Sequence, residues 1–120
     1  MRHQKKLKKL GLKKSHRDSL MKNLVADLVL YETVRTTANR AKALSSRFDR
    51  LMRLVRTKEK REAIRILPNY CANSAHGGAR RKIIDELKAK YEKRTSGLTR
   101  ITRIGMRRGD NASLVQIQLV

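Results

Sequence analysis

The side chains best suited to chemistry in this sequence are lysines and arginines, which gather in two segments that contain no acid. The first segment, residues 1–17, carries Arg2, Lys5, Lys6, Lys8, Lys9, Lys13, Lys14 and Arg17. The second, residues 93–109, carries Lys93, Arg94, Arg100, Arg103, Arg107 and Arg108. Ammonium and guanidinium groups neutralise phosphates and release their condensed counterions. The two segments therefore predict binding to a polyanion.

Residues that could bind a metal or act in catalysis are few and scattered. The histidines and the cysteine are His3, His16, Cys71 and His76, and only Cys71 and His76 lie near each other. A structural zinc site needs four ligands, commonly in paired spacings, and the sequence has no second pair. It also lacks a Ser-His-Asp arrangement, a phosphate-binding loop and a dinucleotide motif. We therefore expect no enzyme activity, metal, cofactor or small-molecule substrate.

Length and charge narrow the class of protein. The chain has 120 residues and a mass of 13.9 kDa, which suits a single domain. With 31 Lys and Arg against 10 Asp and Glu, its formal net charge is +21, and such a charge repels itself unless a polyanion neutralises it. Aromatic residues make up only 3%, so the stacking of bases on aromatic platforms cannot be the main means of binding.

The sequence carries no pattern of export or of membrane insertion. Its longest apolar runs, such as Leu28-Val29-Leu30-Tyr31, fall far short of the ~20 residues that span a bilayer. The basic amino end is not followed by the apolar block of a secretory signal, so we expect the mature chain to begin at or near Met1. A lone cysteine forms no intramolecular disulfide. The cytoplasm is the expected compartment.

The amino-terminal residues are predicted to form an arm. Residues 1–14 show no amphipathic period, and their charge density predicts an extended basic arm that precedes a single domain over residues 15–120. A solvated tail with no specific partner is the alternative. Against that alternative, a purely electrostatic tail would not need Leu7, Leu10 and Leu12.

Three helices follow from spacing in the first part of the domain. Ser15 and Asp18 have the spacing of a capping box, which predicts that the first helix begins there; its apolar stripe ends near Tyr31. The second helix carries apolar residues at steps of three and four, namely Ala41, Leu44, Phe48, Leu51 and Val55. A third helix, from about residue 58 to 67, is predicted to stop at Pro68.

Strands and one more helix complete the prediction. β-branched residues predict a strand over 33–37, and apolar spacing predicts a helix over 79–91. Residues 99–106 and the alternating Val115, Ile117 and Leu119 predict a β-hairpin around the turn Gly109-Asp110-Asn111. The expected fold is α+β in two layers, with the helices on one face of a small mixed sheet. Its order is helix, strand, three helices and two strands.

Arginines on the second helix leave two interpretations open. Arg47, Arg50, Arg53 and Arg56 lie away from the apolar stripe of that helix. A face of this kind is commonly just solvated. Beside the basic segments, it is equally a candidate for contact with phosphate.

Short motifs along the chain resemble those of one family. Near the amino end they are Met1-Arg2-His3-Gln4-Lys5, Lys9-Leu10-Gly11 and Ser15-His16-Arg17. Further on they are Tyr31-Glu32-Thr33-Val34-Arg35-Thr36-Thr37 and Ala41-Lys42-Ala43-Leu44. The last are Gly97-Leu98-Thr99-Arg100-Ile101, Arg107-Arg108-Gly109-Asp110-Asn111-Ala112 and Ile117-Gln118-Leu119-Val120. In this order they resemble the bacterial large-subunit ribosomal protein L-seventeen family, from which Gln4, Ser96, Leu98, Gln118 and residues 57–78 depart.

The resemblance implies a structural component of the large ribosomal subunit that binds and stabilises folded large-subunit rRNA near the peptide exit tunnel. It implies neighbouring ribosomal proteins as partners and a fold similar to the one predicted above. It carries an RNA-binding role over to Arg2, His3, Lys5, Lys9, His16, Arg17, Arg35, Arg100, Arg107 and Arg108. Charge alone adds Lys6, Lys8, Lys13, Lys14 and Arg103.

Two rival classes remain at this point. Small size and high basicity also suit a nucleoid-type DNA-binding protein, although the sequence has neither a helix-turn-helix pattern nor a β arm bearing an apolar wedge. A ribosome-associated enzyme would need a cofactor site, and no motif for one is present. Sedimentation with ribosomes or with DNA separates these classes.

Overall fold

A computed structural model describes His3, residues 8–73 and residues 78–120. Within these residues the elements follow the predicted order. They are α1 (Lys14–Tyr31), β1 (Thr33–Thr37), α2 (Ala38–Thr57), α3 (Lys60–Tyr70), a fourth helix between residues 79 and 90, β2 (Thr99–Met106) and β3 (Ser113–Leu119). The predicted binding residues Arg2, Lys5 and Lys6, together with Leu7 and His76, lie outside the described residues.

α1 begins without the predicted capping box. Its N-cap residue is Lys13, which makes no side-chain capping hydrogen bond, and Ser15 lies inside the helix. A turn fixes the start instead, because Leu10 and Gly11 adopt positive φ angles of 55° and 66° and redirect the chain. From this turn Leu10 packs against the core. Residues 8–13 therefore lie against the domain.

α2 is the central helix of the core. Its predicted apolar stripe is confirmed, since Ala41, Leu44, Phe48, Leu51 and Val55 are all fully buried. The helix packs on β1 and β3 on one side and contacts α1 and α3 on the other. Any element that binds the far side of α2 is consequently held in a fixed position relative to the sheet.

α3 runs past the proline that was predicted to end it. Pro68 lies inside the helix, which continues to Tyr70. Proline removes only the hydrogen bond to the carbonyl of Ile64, and Ile64 is exposed, so water can satisfy that carbonyl. Leu67 is buried on the opposite side and holds the last turn in place. The extra turn brings Asn69 and Tyr70 beside α2.

The fourth helix has three parts. α4 (Ala79–Lys82) leads into a π-helical turn at Ile83–Leu87 and then into α5 (Lys88–Lys90). Steps of four residues bury Ile83, Leu87 and Tyr91 on one side. The Tyr91 Oη donates a hydrogen bond of 3.0 Å to the carbonyl of Val120, which ties this helix to the residue after β3.

The three strands form one sheet in the order β1-β3-β2. Both neighbours run antiparallel to β3, so the sheet is antiparallel rather than mixed; β1 and β2 share a direction but never pair. Val34 and Ile101 flank Ile117, which is buried with Val115 on the face covered by helices. The α+β class and the one-sided helical layer are confirmed.

Candidate nucleic-acid interface

The residues just before α1 are pinned to α2 by a lysine. Lys8 Nζ donates hydrogen bonds to the carbonyl of Lys42, at 3.0 Å, and to Ser46 Oγ, at 2.9 Å. Lys8 and Lys9 remain exposed, as does His3. Lys8 thus has a structural role in addition to the RNA contact that its charge predicts.

The first turn of α1 concentrates positive charge. Lys13, Lys14 and His16 are exposed there, and Arg17 is half-buried with its NH1 donating to the carbonyl of Leu12 at 3.3 Å. No acidic residue lies in this turn. The unpaired N–H groups of a helix start and its dipole also favour anions. The charge of this turn therefore favours an anion such as phosphate.

The sheet face opposite the helices carries two of the predicted arginines. Arg35 on β1 aligns with Gln116 on β3, and Arg100 on β2 aligns with Gln118 one row away. Side chains at alternate positions of a strand share a face. Arg35 and Arg100 are therefore on the face of the sheet that points away from the core, whereas Ile117 is on the core-facing side. Their strands lie on either side of β3, about 10 Å apart. Both residues are exposed, and rigid backbone holds them at a fixed separation.

Hydrogen bonds within the hairpin turn hold Arg107 in place. Arg107 donates through Nε to Asp110 Oδ1 at 3.0 Å and through NH2 to Asp110 Oδ2. The Arg107 N–H donates to the carbonyl of Ala112 at 2.8 Å. Hydrogen bonds from the Arg107 side chain and the Ala112 N–H lower the pKa of Asp110 to about 2. The Nε and NH2 donors of the Arg107 guanidinium are therefore already used within the protein.

The remaining hairpin arginines are open to solvent. Arg108 is exposed beside the turn. Arg103 on β2 pairs with Val115 on β3, so it lies on the helix-facing side of the sheet. It is nevertheless exposed, because β2 is an edge strand. The register shifts between Arg103 and Gly105, and such a bulge bends an edge strand. Arg103 consequently lies on the opposite side of the sheet from Arg35 and Arg100.

A groove between α1 and α2, closed by the end of α3, brings together further cations. We call it the α1–α2 groove; its cavity volume is about 610 Å³. Its cationic side chains are Lys8, Arg17, Lys22, Arg47 and Arg50. Asp18 is the carboxylate among its lining residues. Sequence spacing singled out the α2 arginines but not Lys22, because only the packing of α1 on α2 places it beside them.

Arg47 occupies the floor of this groove. Its NH2 donates to the carbonyl of Asn69 at 2.8 Å, and its guanidinium carbon lies 5.2 Å from the centre of the Tyr70 ring. Burial lowers the pKa of Arg47, while the charge of Asp18 acts in the opposite direction. The four α2 arginines thus separate: Arg47 and Arg50 line the groove, Arg53 is exposed, and Arg56 donates to the carbonyl of Arg94.

Of the histidines and the cysteine considered for metal binding, the structure describes His3, His16 and Cys71. Cys71 is fully buried, and burial raises the pKa of its thiol to about 11, which keeps it protonated and unreactive. In the part of the chain that the structure describes, no three His, Cys, Asp or Glu residues are placed to hold a metal ion. Among the same residues, every helix is too short or too polar to cross a membrane.

Comparison with known proteins gives the family. Residues 20–120 match the family model described as Ribosomal protein L17. The chain belongs to this family. A relative from Endomicrobium trichonymphae, named large ribosomal subunit protein bL17, is 38% identical over 112 residues, covering 93% of this chain and 92% of the relative. One of the same name from Thermotoga neapolitana is 35% identical over 124 residues, covering 100% and 95%.

The L17 match includes most of the surfaces described above. Arg35, the basic hairpin and the α2 side of the groove all fall within residues 20–120. The first turn of α1 lies before that range, although the alignment with the Thermotoga relative extends over the whole chain. The family resemblance predicted from the short motifs is confirmed.

Proposed function

We propose that this L17-family chain is a structural constituent of the large ribosomal subunit in the bacterial cytoplasm. In this role it binds and stabilises folded large-subunit rRNA near the peptide exit tunnel, beside neighbouring ribosomal proteins. It performs no chemical step. Family membership over residues 20–120 is the observation that carries the proposal, because the family is one of ribosomal proteins.

The charge distribution supports an RNA partner. Fixed arginines on the open sheet face, Arg35 and Arg100, suit phosphates at a set spacing, since a guanidinium fork can bind a phosphate through two donors. Lysines of the arm supply additional positive charge. The net charge of +21 destabilises the compact protein through self-repulsion, and a polyanion such as RNA would neutralise that charge. The RNA-binding role of the residues named from sequence belongs to this proposal.

Sedimentation tests the proposal directly. A bacterial lysate containing the chain is run through a sucrose gradient at high salt, and the chain is detected in each fraction. We expect stoichiometric retention with the large subunit, because many phosphate contacts and protein neighbours outlast partial screening. Recovery at the top of the gradient, or with DNA, would contradict the proposal and favour a nucleoid-type DNA-binding protein.

A deletion tests the arm within the same experiment. Removal of residues 1–14 should lower the stoichiometry of the chain in assembled large subunits, since several lysines are lost. A control for loss of positive charge elsewhere is the double substitution Arg61→Gln and Arg65→Gln on the exposed side of α3, away from the predicted contacts. Circular dichroism should show that both variants are folded. Unchanged stoichiometry of the deletion variant would remove the role of the arm.

A further inference from the structure

The α1–α2 groove has the size and charge of a ligand site. Its volume of about 610 Å³ falls within the ~300–1,000 Å³ typical of small-ligand clefts. Five cationic side chains line it against the single carboxylate of Asp18, so the groove favours an anion. Asp18 offsets only one of these five positive charges.

A flat surface lies at one end of the groove. Tyr70 lines the cavity, and the Arg47 guanidinium lies over its ring with the carbon 5.2 Å from the centre. The hydrogen bond from Arg47 NH2 to the carbonyl of Asn69 fixes this arrangement. Within the described residues, Arg47 Nε is buried and has no hydrogen-bond partner. A planar group that enters the groove would stack on this surface.

The cations around this surface differ in how far they are engaged. Lys8 is bound to α2, and Arg17 NH1 donates to the carbonyl of Leu12. Lys22 and Arg50 make no side-chain hydrogen bond within the described part of the chain, and Arg50 is exposed at the rim. Their charges are therefore available to a phosphate that enters from solvent.

We propose that the α1–α2 groove binds one unpaired nucleotide of RNA, with its base against the Arg47–Tyr70 pair and its phosphate held by Lys22 and Arg50. RNA-binding proteins commonly bind splayed bases on aromatic rings and guanidinium planes. A free inorganic anion would use the charges but not the flat surface. The inference rests on the proposed rRNA-binding function and assigns one site within it.

Two RNA hairpins that differ by one base test the assignment. One contains a single bulged adenosine, and the other has an abasic nucleotide at the same place, so the backbone charge is identical. Affinity of the full chain for each is measured by fluorescence anisotropy at fixed salt. We expect the adenosine bulge to bind about tenfold more tightly, in line with the contribution of one stacked base.

Substitutions divide the site into its two parts. Tyr70→Leu should abolish the preference for the adenosine bulge, whereas Tyr70→Phe should retain it because the ring remains. Arg50→Gln should weaken binding of both RNAs and reduce the salt slope by about one. Arg65→Gln, on the exposed side of α3, removes the same charge outside the groove and is the matched control.

The outcomes separate this inference from the function on which it rests. Equal affinity of the unaltered chain for the two RNAs would overturn the nucleotide site, even while strong salt-dependent RNA binding kept the proposed function. A preference that Tyr70→Leu retains in a folded variant would overturn it too. If neither RNA binds at low salt, both proposals fail. The wild-type comparison needs no variant and therefore remains decisive if Tyr70→Leu does not fold.

Discussion

The basic hairpin and the first turn of α1 hold positive charge in opposite ways. In the hairpin, Arg107 is paired with Asp110 three residues away, and backbone hydrogen bonds close the turn around them. The first turn of α1 places Lys13, Lys14 and Arg17 at the positive end of a helix, and that turn contains no acidic residue. Part of the hairpin charge is therefore compensated within the protein, whereas the charges of the first turn of α1 repel one another until an anion binds.

The difference separates two contributions to binding. The hairpin and the open sheet face are organised in advance, so they lose little conformational freedom when RNA binds. In the first turn of α1, a phosphate relieves repulsion and stabilises the helix at the same time. RNA binding at α1 should consequently raise the stability of the protein more than binding at the hairpin does.

The largest effect should come from breaking the support that both regions share. The carbonyl of Lys42 in α2 accepts a hydrogen bond from Lys8. At the other end of the contact, Ser45 of α2 is hydrogen-bonded to Thr99 at the start of β2, at 2.8 Å. Phe48 is fully buried at the centre of α2, and Phe48→Ala should lower the free energy of unfolding by ~3–5 kcal/mol. Urea unfolding measures this change. Phe48→Leu is the control, and it should cost clearly less.

A smaller loss of stability should follow from a change confined to the hairpin turn. Gly109 has a φ of 102°, which a side chain tolerates poorly, so Gly109→Ala should cost ~1–2 kcal/mol. Space is not the cause, because an added Cβ meets no heavy atom within 4 Å. Gly78→Ala, at a φ of −93°, is the control and should not show this strain. Equal losses in urea unfolding would show that the turn is not held as described.

At α1, removing charge should raise stability and lower affinity together. Lys14→Glu reverses the charge in the first turn and should stabilise the free protein by ~0.3–1 kcal/mol, as an acid at a helix start does. The same change should weaken RNA binding and reduce its salt slope. Thermal unfolding and anisotropy measure the two effects. The control is Arg65→Glu, which reverses the same charge at an exposed position inside α3. Lys60→Glu is unsuitable as a control, because Lys60 is itself the first residue of a helix and an acid there would also stabilise the protein.

The smallest effect concerns the carboxylate of the hairpin. Arg107 and the Ala112 N–H lower the pKa of Asp110 from 3.8 to about 2. Because the folded value is the lower one, the ionised pair contributes stability above pH ~4 and loses it as the pH falls through about 2. NMR titration of the Asp110 carboxyl should show the low midpoint. Arg107→Gln should return it toward the ordinary value; an unchanged midpoint would exclude the pair as its cause.

Local periodicity was sufficient to predict most elements. The steps of three and four along α2 and the alternation of Val115 and Ile117 follow directly from helix and strand geometry. The start of α1 was wrong because a turn at Leu10 and Gly11 determines it. The helix end predicted at Pro68 is wrong, because the cost of a proline inside a helix depends on which carbonyl loses its hydrogen bond. The antiparallel sheet required pairing between distant strands.

The candidate site shows the same limit. Charge along the sequence identified the arm and the hairpin, and family resemblance added Arg35, whose RNA-binding role remains a prediction. The α1–α2 groove could not be found this way, because Lys22 and Arg50 belong to different helices whose packing is decided by buried residues elsewhere. The internal hydrogen bonds of the Arg107 guanidinium likewise depend on the three-dimensional path of the turn.

The strand order has a consequence for synthesis of the chain. β3 is central in the sheet, yet it follows every other element in the sequence, so β1 waits for a partner some eighty residues downstream. Until β3 is made, β1 and β2 are exposed strands without their common neighbour, a state prone to aggregation. A chain truncated before β3 should therefore be recognised by proteases. Only a chain that includes β3 can hold Arg35 and Arg100 on one face of a single sheet.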